Sequence, residues 1–284
     1  MKKIWIIARM TFLETIRRRI VLTGLILGLV FLTVFTIGFR MVYMNASTAV
    51  ANAPSKAFSN IATSEGVNVL MLAGLYAVTF LSAAMGALLG ADTLSGEIIS
   101  GTIQTIVTKP VRRSHVVLGK WLGFAILLAF YSLLMSGGTV LSVRIQAGYS
   151  PRNVLPGLSL IYLESLLIMT ISLSCSSFLS GLATGGVVFG LYGLAFIGGW
   201  VEQIGAVMQN ATAVKVGIVT SLLIPSETLW RRAAFEMQSP ISGALGISPF
   251  GTISVPSPLM IGYAVVYLVL TLMSAVSIFK HRDL

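Results

Sequence analysis

Charge is what this chain has least of. Only 10% of its 284 residues are charged, whereas a soluble domain carries roughly 25%. A water-soluble globule cannot cover its surface with so few ionic groups, and that class is excluded. Acid is scarcer still, with nine Asp and Glu against 19 Lys and Arg. Cysteine is limited to Cys175, so an intrachain disulfide is excluded and no thiolate metal pattern exists. The two histidines, His115 and His281, stand away from any Cys, Asp or Glu grouping of ligand spacing, which leaves metal binding without support. A Walker A loop is also missing: Gly119-Lys120 is followed by Trp121, and Ser114 occupies the place of the leading glycine. The chain therefore has no ATPase of that kind, no local Ser-His-Asp or Cys-His signature, and no cofactor expected of its own.

What the chain has in excess is apolar length. Hydrophobic residues make up 56% of it and mean hydropathy is +0.92. Six runs approach the roughly 20 residues that cross a 30 Å hydrocarbon core. They lie at about 20–39, 67–91, 121–143, 155–179, 183–201 and 259–279. With no water in the bilayer to satisfy backbone groups, each is expected to be a helix. The fold class is all-α integral membrane, a single six-span domain over 1–284. The run from Ile20 is too long for a secretory signal, and Ala51-Asn52-Ala53 lies well beyond it, so the first span is expected to stay.

Lys and Arg set the orientation. With the N-terminus inside, the inner segments hold 12 basic residues in 56 positions and the outer segments 7 in 95. Both termini are thus expected on the cytoplasmic side of the plasma membrane. The net charge of +10 reads first as a topology signal and second as attraction to anionic lipid. Basic residues split among membrane flanks give no nucleic-acid surface.

The stretch from Ser95 to Trp121, between the second and third runs, is amphipathic. At about 100° per residue, Ile98, Ile99, Ile103, Ile106 and Val107 share one half of a helix, while Glu97, Ser100, Gly101, Gln104 and Thr105 share the other. Thr102 falls near the border. A helix over about 95–108 is expected along the inner membrane boundary, stopped by Pro110. Periodicity alone is equally satisfied by a surface-lying loop helix with a basic flank. The N-terminal segment has an imperfect apolar stripe of Ile4, Trp5, Ala8, Phe12 and Ile16 and is expected to lie flat on the inner leaflet.

Within the membrane, Gly24 with Gly28, Gly86 with Gly90, Gly181 with Gly185 and Gly186 with Gly190 recur four apart, spacing that permits close helix crossings. The fourth run carries Glu164, Ser165, Thr170, Ser172, Ser174, Ser176 and Ser177, too many polar groups to face lipid all round. It is expected to face a cavity or the interior. Glu164, with Ser165 and Ser172, is then a candidate lining of a substrate pathway, the other reading being a buried structural hydrogen bond. Residues 202–258 hold five of the nine prolines and a short apolar piece interrupted by Lys215. They are expected to form a small extracytoplasmic cap of short or re-entrant helices.

The run Glu97-x-x-x-Gly101-Thr102, then Pro110-Val111-Arg112-Arg113, then Gly119-Lys120 at the next span resembles the first cytoplasmic loop of type-2 ABC exporter permeases, which reads approximately E-x-x-x-G-T, P-x-x-R, G-K. The six-span layout, the basic N-terminal helix and the long segment before the last span resemble that family too, so the likeness covers nearly the whole chain. It implies a homodimer, or a pair with a related permease, docked on cytoplasmic ABC ATP-binding subunits that bind ATP and Mg. It also implies that the loop helix couples the two, with Glu97, Ser100, Gly101, Thr102 and Gln104 toward the ATPase and Arg112, Arg113 and Lys120 holding the loop. Topology alone accounts equally for the three basic residues. A secondary transporter and a non-transporting membrane scaffold or immunity protein remain as other classes; the first needs intramembrane ion-coupling groups, of which Glu164 is the one in these runs.

Overall fold

A computed structural model of the chain describes residues 2–51, 56–91, 93, 96, 112–241, 250 and 254–281. All the regular structure among them is helical: α1 (Lys2–Ile16), α2 (Arg19–Ala51), α3 (Lys56–Ala91), α4 (Arg113–Ala147), α5 (Val154–Cys175), α6 (Gly181–Val207), α7 (Ala211–Leu223), α8 (Ser226–Met237) and α9 (Leu259–His281). Six of them, α2 to α6 and α9, are long and apolar enough to cross a membrane. Several depart from the sequence-derived limits. Helix α2 continues to Ala51 past Phe39, α3 begins at Lys56 before Val67, α4 begins at Arg113 rather than Trp121, α5 ends at Cys175 short of Leu179, and α6 continues to Val207 instead of stopping at Val201. The last departure has a direct cause, because Glu202 stays helical and buried once a guanidinium reaches it from α8.

Helix α5 is the hub, packed against α3, α4, α6, α8 and α9. Its serines and threonines explain how so polar a helix sits in the interior. Ser172 Oγ donates to the Ala87 carbonyl at 2.6 Å, Thr170 Oγ1 accepts from Trp121 Nε1 at 2.9 Å, and the Ser174 and Ser274 hydroxyls meet at 3.0 Å. Lipid-like packing supplies little drive between apolar helices, so small residues and interhelical hydrogen bonds carry the association. The crossing of α3 with α5 is closest where Gly86 lies on the Ser165 carbonyl and Gly90 on Ser172 and Leu173. A Cβ there would stand 2.7 Å from the Ser165 oxygen and 2.6 Å from the Ser172 Cβ. Gly24 and Gly28 likewise receive Met85 and Met135 within the chain, whereas Gly185, Gly186 and Gly190 on α6 meet nothing within 4 Å.

Burial is graded from this hub outward. In α3, α4 and α5 between 56% and 61% of the most apolar window is buried, against 11% in α2 and 17% in α9. The peripheral helices present Leu22, Ile26, Val34, Val266 and Leu270 outward, as a helix facing lipid does.

Helix α1 docks on α4 through part of the stripe read in the sequence. Ala8, Thr11 and Phe12 lie over Gly123, and Ile4 and Ile7 over Gly119; Ala8, Thr11 and Thr15 are buried. Trp5 and Ile16, the other members of the stripe, are exposed. The contact face is set by α4, whose two glycines let the backbones approach closely, a feature invisible when α1 is read alone.

Arg113 Nη1 donates to the Lys280 carbonyl at 3.3 Å, which joins the start of α4 to the end of α9. At the opposite end of the bundle, Asn68 Nδ2 on α3 donates to the Met237 carbonyl at 3.1 Å and to the Tyr149 hydroxyl at 2.8 Å. Ser239 N returns a bond to Asn68 Oδ1 at 3.1 Å, and Asn153 Nδ2 donates to Glu236 at 2.8 Å. Beyond the end of α4, burial pushes the Tyr149 hydroxyl up from its ordinary pKa, with the Asn68 bond pulling the other way.

Helices α7 and α8 form a bent pair, turned by 107°. Asn210 caps the first of them, its Oδ1 accepting from Thr212 N and Ala213 N. Pro225 follows Ile224 at the corner, where its missing N–H breaks no helical bond. From Asn210 the chain runs back along α6, turns at Ile224-Pro225 and leaves along α5 toward Gly157, on which Met237 packs. The pair is a re-entrant unit wedged against the bundle.

Candidate polar cluster and cleft

The corner of that unit brings four charged side chains into the interior. Arg231 on α8 meets Glu202 on α6 end-on, with Nη1 2.6 Å from Oε1 and Nη2 2.9 Å from Oε2. Ser221 Oγ and Ser254 Oγ complete the pair, at 3.3 Å from Arg231 Nη2 and 2.9 Å from Glu202 Oε1. One helical turn before Arg231, Glu227 lies over Gly199, where any Cβ would collide with it. Its Oε1 accepts from the Tyr76 hydroxyl of α3 at 3.3 Å, and Tyr76 accepts in turn from Trp200 Nε1 at 3.0 Å. Glu164 of α5 completes the group, fully buried. Neither of its carboxylate oxygens closes a hydrogen bond of good geometry among the described residues. The adjacent polar groups are the Tyr192 hydroxyl of α6 and the Glu227 carboxyl.

Three carboxyl groups thus lie in one buried cluster with a single guanidinium, which pairs with Glu202, in surroundings with little water. Breaking such a buried pair from one side typically costs about 3–5 kcal/mol, because the survivor keeps an uncompensated charge. Tyr76 is the organising side chain. Its ring lies 4.9 Å from Trp230, 5.8 Å from Phe250, 6.0 Å from Phe196 and 6.5 Å from Trp200, centroid to centroid.

On the other face of Tyr76 a cleft of about 580 Å³ opens between α2, α3 and α6. Leu27, Val30, Phe31 and Val34 line it from α2, Ala73, Tyr76, Ala77, Phe80 and Leu81 from α3, Tyr192 and Phe196 from α6, together with Phe250. A second hollow of about 300 Å³ shares Phe31, Ala73 and Ala77 and runs on along Phe35, Phe39 and Val42. Tyr76 and Phe250 belong both to the cleft and to a small space bounded by Glu227 and Arg231. The aromatic hollow and the acid cluster are two sides of one wall.

The matched extent decides the family. A family model described as ABC-2 family transporter protein covers residues 5–284. The chain belongs to the ABC-2 transporter family. No curated relative matches it. As an ABC-2 permease it is the multi-pass membrane subunit of an ABC transporter, and it is not itself the catalytic one.

Of the residues singled out from the sequence, Glu97, Ser100, Gly101, Thr102 and Gln104, with the proposed coupling helix over 95–108, lie outside the described residues. Arg112 is exposed just before α4, Arg113 reaches the end of α9, and Lys120 is buried two turns into α4. The structure brings Glu164 together with Tyr76, Tyr192 and Glu227. Its neighbours in the sequence motif go elsewhere: Ser165 donates to the Tyr162 carbonyl at 2.9 Å and Ser172 to Ala87. Sequence reading missed Tyr76, Tyr192, Glu202, Glu227 and Arg231. The one available signal was the pair Glu227 and Arg231, four apart in a short charged stretch between apolar runs, which puts acid and base on one helix face.

Proposed function

We propose that this permease works as an ATP-driven exporter, two copies docking two separate cytoplasmic ATP-binding subunits through the loop helix around Glu97. What carries the reading is the match over residues 5–284 to a transporter membrane subunit combined with a sequence that has no Walker A loop of its own. Energy must then come from a partner. ATP and Mg sit on that partner, and its closure biases the spans between inward- and outward-open arrangements only to the extent that it binds one arrangement better. Glu97, Ser100, Gly101, Thr102 and Gln104 present the polar face to it, while Arg112 and Arg113 flank the loop where it enters α4.

With the termini cytoplasmic, the end of the bundle holding α1, the start of α4 and the end of α9 faces the ATPase, and the α7–α8 pair enters from the outer side. Glu164 then lies at the depth the re-entrant corner reaches, a place for a pathway group. Purification from native membranes is expected to yield one ATP-binding subunit for each copy of this chain. A monodisperse, transport-active preparation with no nucleotide-binding partner defeats the proposal.

A further inference from the structure

We infer that the cleft between α2, α3 and α6 binds an amphipathic organic cation: a bulky or flat hydrophobic body carrying a protonated or quaternary nitrogen. The inference rests on the export reading for its purpose, though not for its geometry. The first observation is the shape and lining of the hollow. About 580 Å³ holds a drug-sized molecule, and the wall presents Phe31, Phe80, Phe196 and Phe250 beside the two tyrosines. Aromatic faces attract cations as well as apolar surface, more strongly where water is excluded.

The second observation is the charge inventory behind that wall. Glu202 is spent on Arg231 at 2.6 Å. Glu227, one turn before Arg231, shares the field of that same guanidinium, and buried Glu164 has no guanidinium or ammonium among the groups identified around it, so three acids stand against one base. The two tyrosines that line the cleft are the same two that touch these acids: Tyr76 donates to Glu227, and Tyr192 stands beside Glu164. A positive group in the cleft against Tyr76 feels the surplus acid across one ring's thickness of low-dielectric medium, where Coulomb attraction is weakly screened. An anion in the same place is repelled. A metal ion is a poor fit, since no group of three acidic, histidine or cysteine side chains converges among the described residues. The ligand class follows from the combination: the hollow wants apolar bulk, and its back wall wants one positive charge.

The test uses the full chain in lipid nanodiscs and two probes of nearly identical shape and opposite charge, tetraphenylphosphonium and tetraphenylborate, with binding to empty nanodiscs subtracted. Saturable binding of the cation at least tenfold tighter than the anion is expected. Glu164→Gln and Glu227→Gln are each expected to weaken cation binding about tenfold, with Glu164→Asp keeping most of it, and neither is expected to change the anion. Equal binding of both ions, or no saturable cation binding, overturns the inference without reliance on any variant. That is also the result if a lipid tail or a second copy fills the hollow. Unchanged cation binding in both Gln variants overturns it as well. Intact cation binding without ATP-driven export defeats the export reading and leaves this site standing. ATP-driven export by a protein that binds neither probe does the reverse.

Discussion

Arg231 is the residue on which the interior charge balance turns. Among the described residues it is the one guanidinium in contact with Glu202, and both side chains are almost wholly withdrawn from solvent. Replacing it by methionine keeps the volume of the stem but strands a carboxylate, and stranded buried charges are among the few single changes that cost several kcal/mol. Arg231→Met is expected to lower the melting temperature of the detergent-solubilised protein markedly. Arg231→Lys recovers only part, because an ammonium cannot reproduce the end-on fork against both oxygens. The double variant Glu202→Gln, Arg231→Met is expected to be more stable than Arg231→Met alone, since no unpaired charge remains. A thermal shift assay on the three proteins checks this, and a double variant no better than the single one disproves the pairing. The same residue explains a misplacement in sequence reading. A glutamate at 202 marks the end of an apolar run when the chain is read locally, and only a partner 29 residues later lets the helix carry it inward to Val207.

At the scale of elements, the apolar runs were legible because a lipid environment leaves a backbone one choice, to close its own hydrogen bonds as a helix. The interior position of α5 was legible as well, since Ser172, Ser174 and Thr170 demand partners that lipid cannot give. What sequence could not supply was which element meets which. The α1 contact runs through Ile4, Ile7, Ala8 and Thr11 because Gly119 and Gly123 lie opposite, and the cleft exists because α2 and α6 stand apart over Phe31 and Phe196. The loop helix over 95–108 remains a reading of periodicity and family likeness, and it makes its own prediction in the assembled transporter. Glu97→Ala removes a charge from the face turned to the ATPase and no buried apolar surface, so expression and melting temperature should hardly move while transport-linked ATP hydrolysis falls severalfold. Ile103→Asp puts a carboxylate on the membrane-facing half, where burial of an unpaired charge is costly, and should lower yield or stability. Full coupled turnover in Glu97→Ala, or a harmless Ile103→Asp, means the two faces are assigned the wrong way round.

At the scale of the whole molecule, six spans would put both termini on one side, and the basic residues predict that side to be the cytoplasm. The contacts give the two ends distinct characters. One end is held by Arg113 on the Lys280 carbonyl, with α1 lying over the start of α4. The other is tied by Asn68, Tyr149 and Asn153 to the end of α8. A vectorial labelling experiment can read the orientation directly. Position 239 is a poor reporter, because the Ser239 hydroxyl donates to Glu65 Oε1 at 2.5 Å and its amide is held by Asn68. Ser150, exposed in the turn between α4 and α5, sits at the same end without those ties. In a Cys175→Ala background, which removes the single native thiol, a cysteine at Ser100 is expected to react with a membrane-impermeant maleimide only from the cytoplasm, and one at Ser150 only from outside. Since α4 alone separates the two positions, opposite labelling follows from a single crossing of that helix. Labelling of both from one face removes α4 from the list of spans, and with it the even count that puts Lys2 and Lys280 on the same side. Opposite labelling with the sides exchanged keeps the fold but reverses the charge rule, and the ATPase would then have no cytoplasmic loop at 95–108 on which to dock.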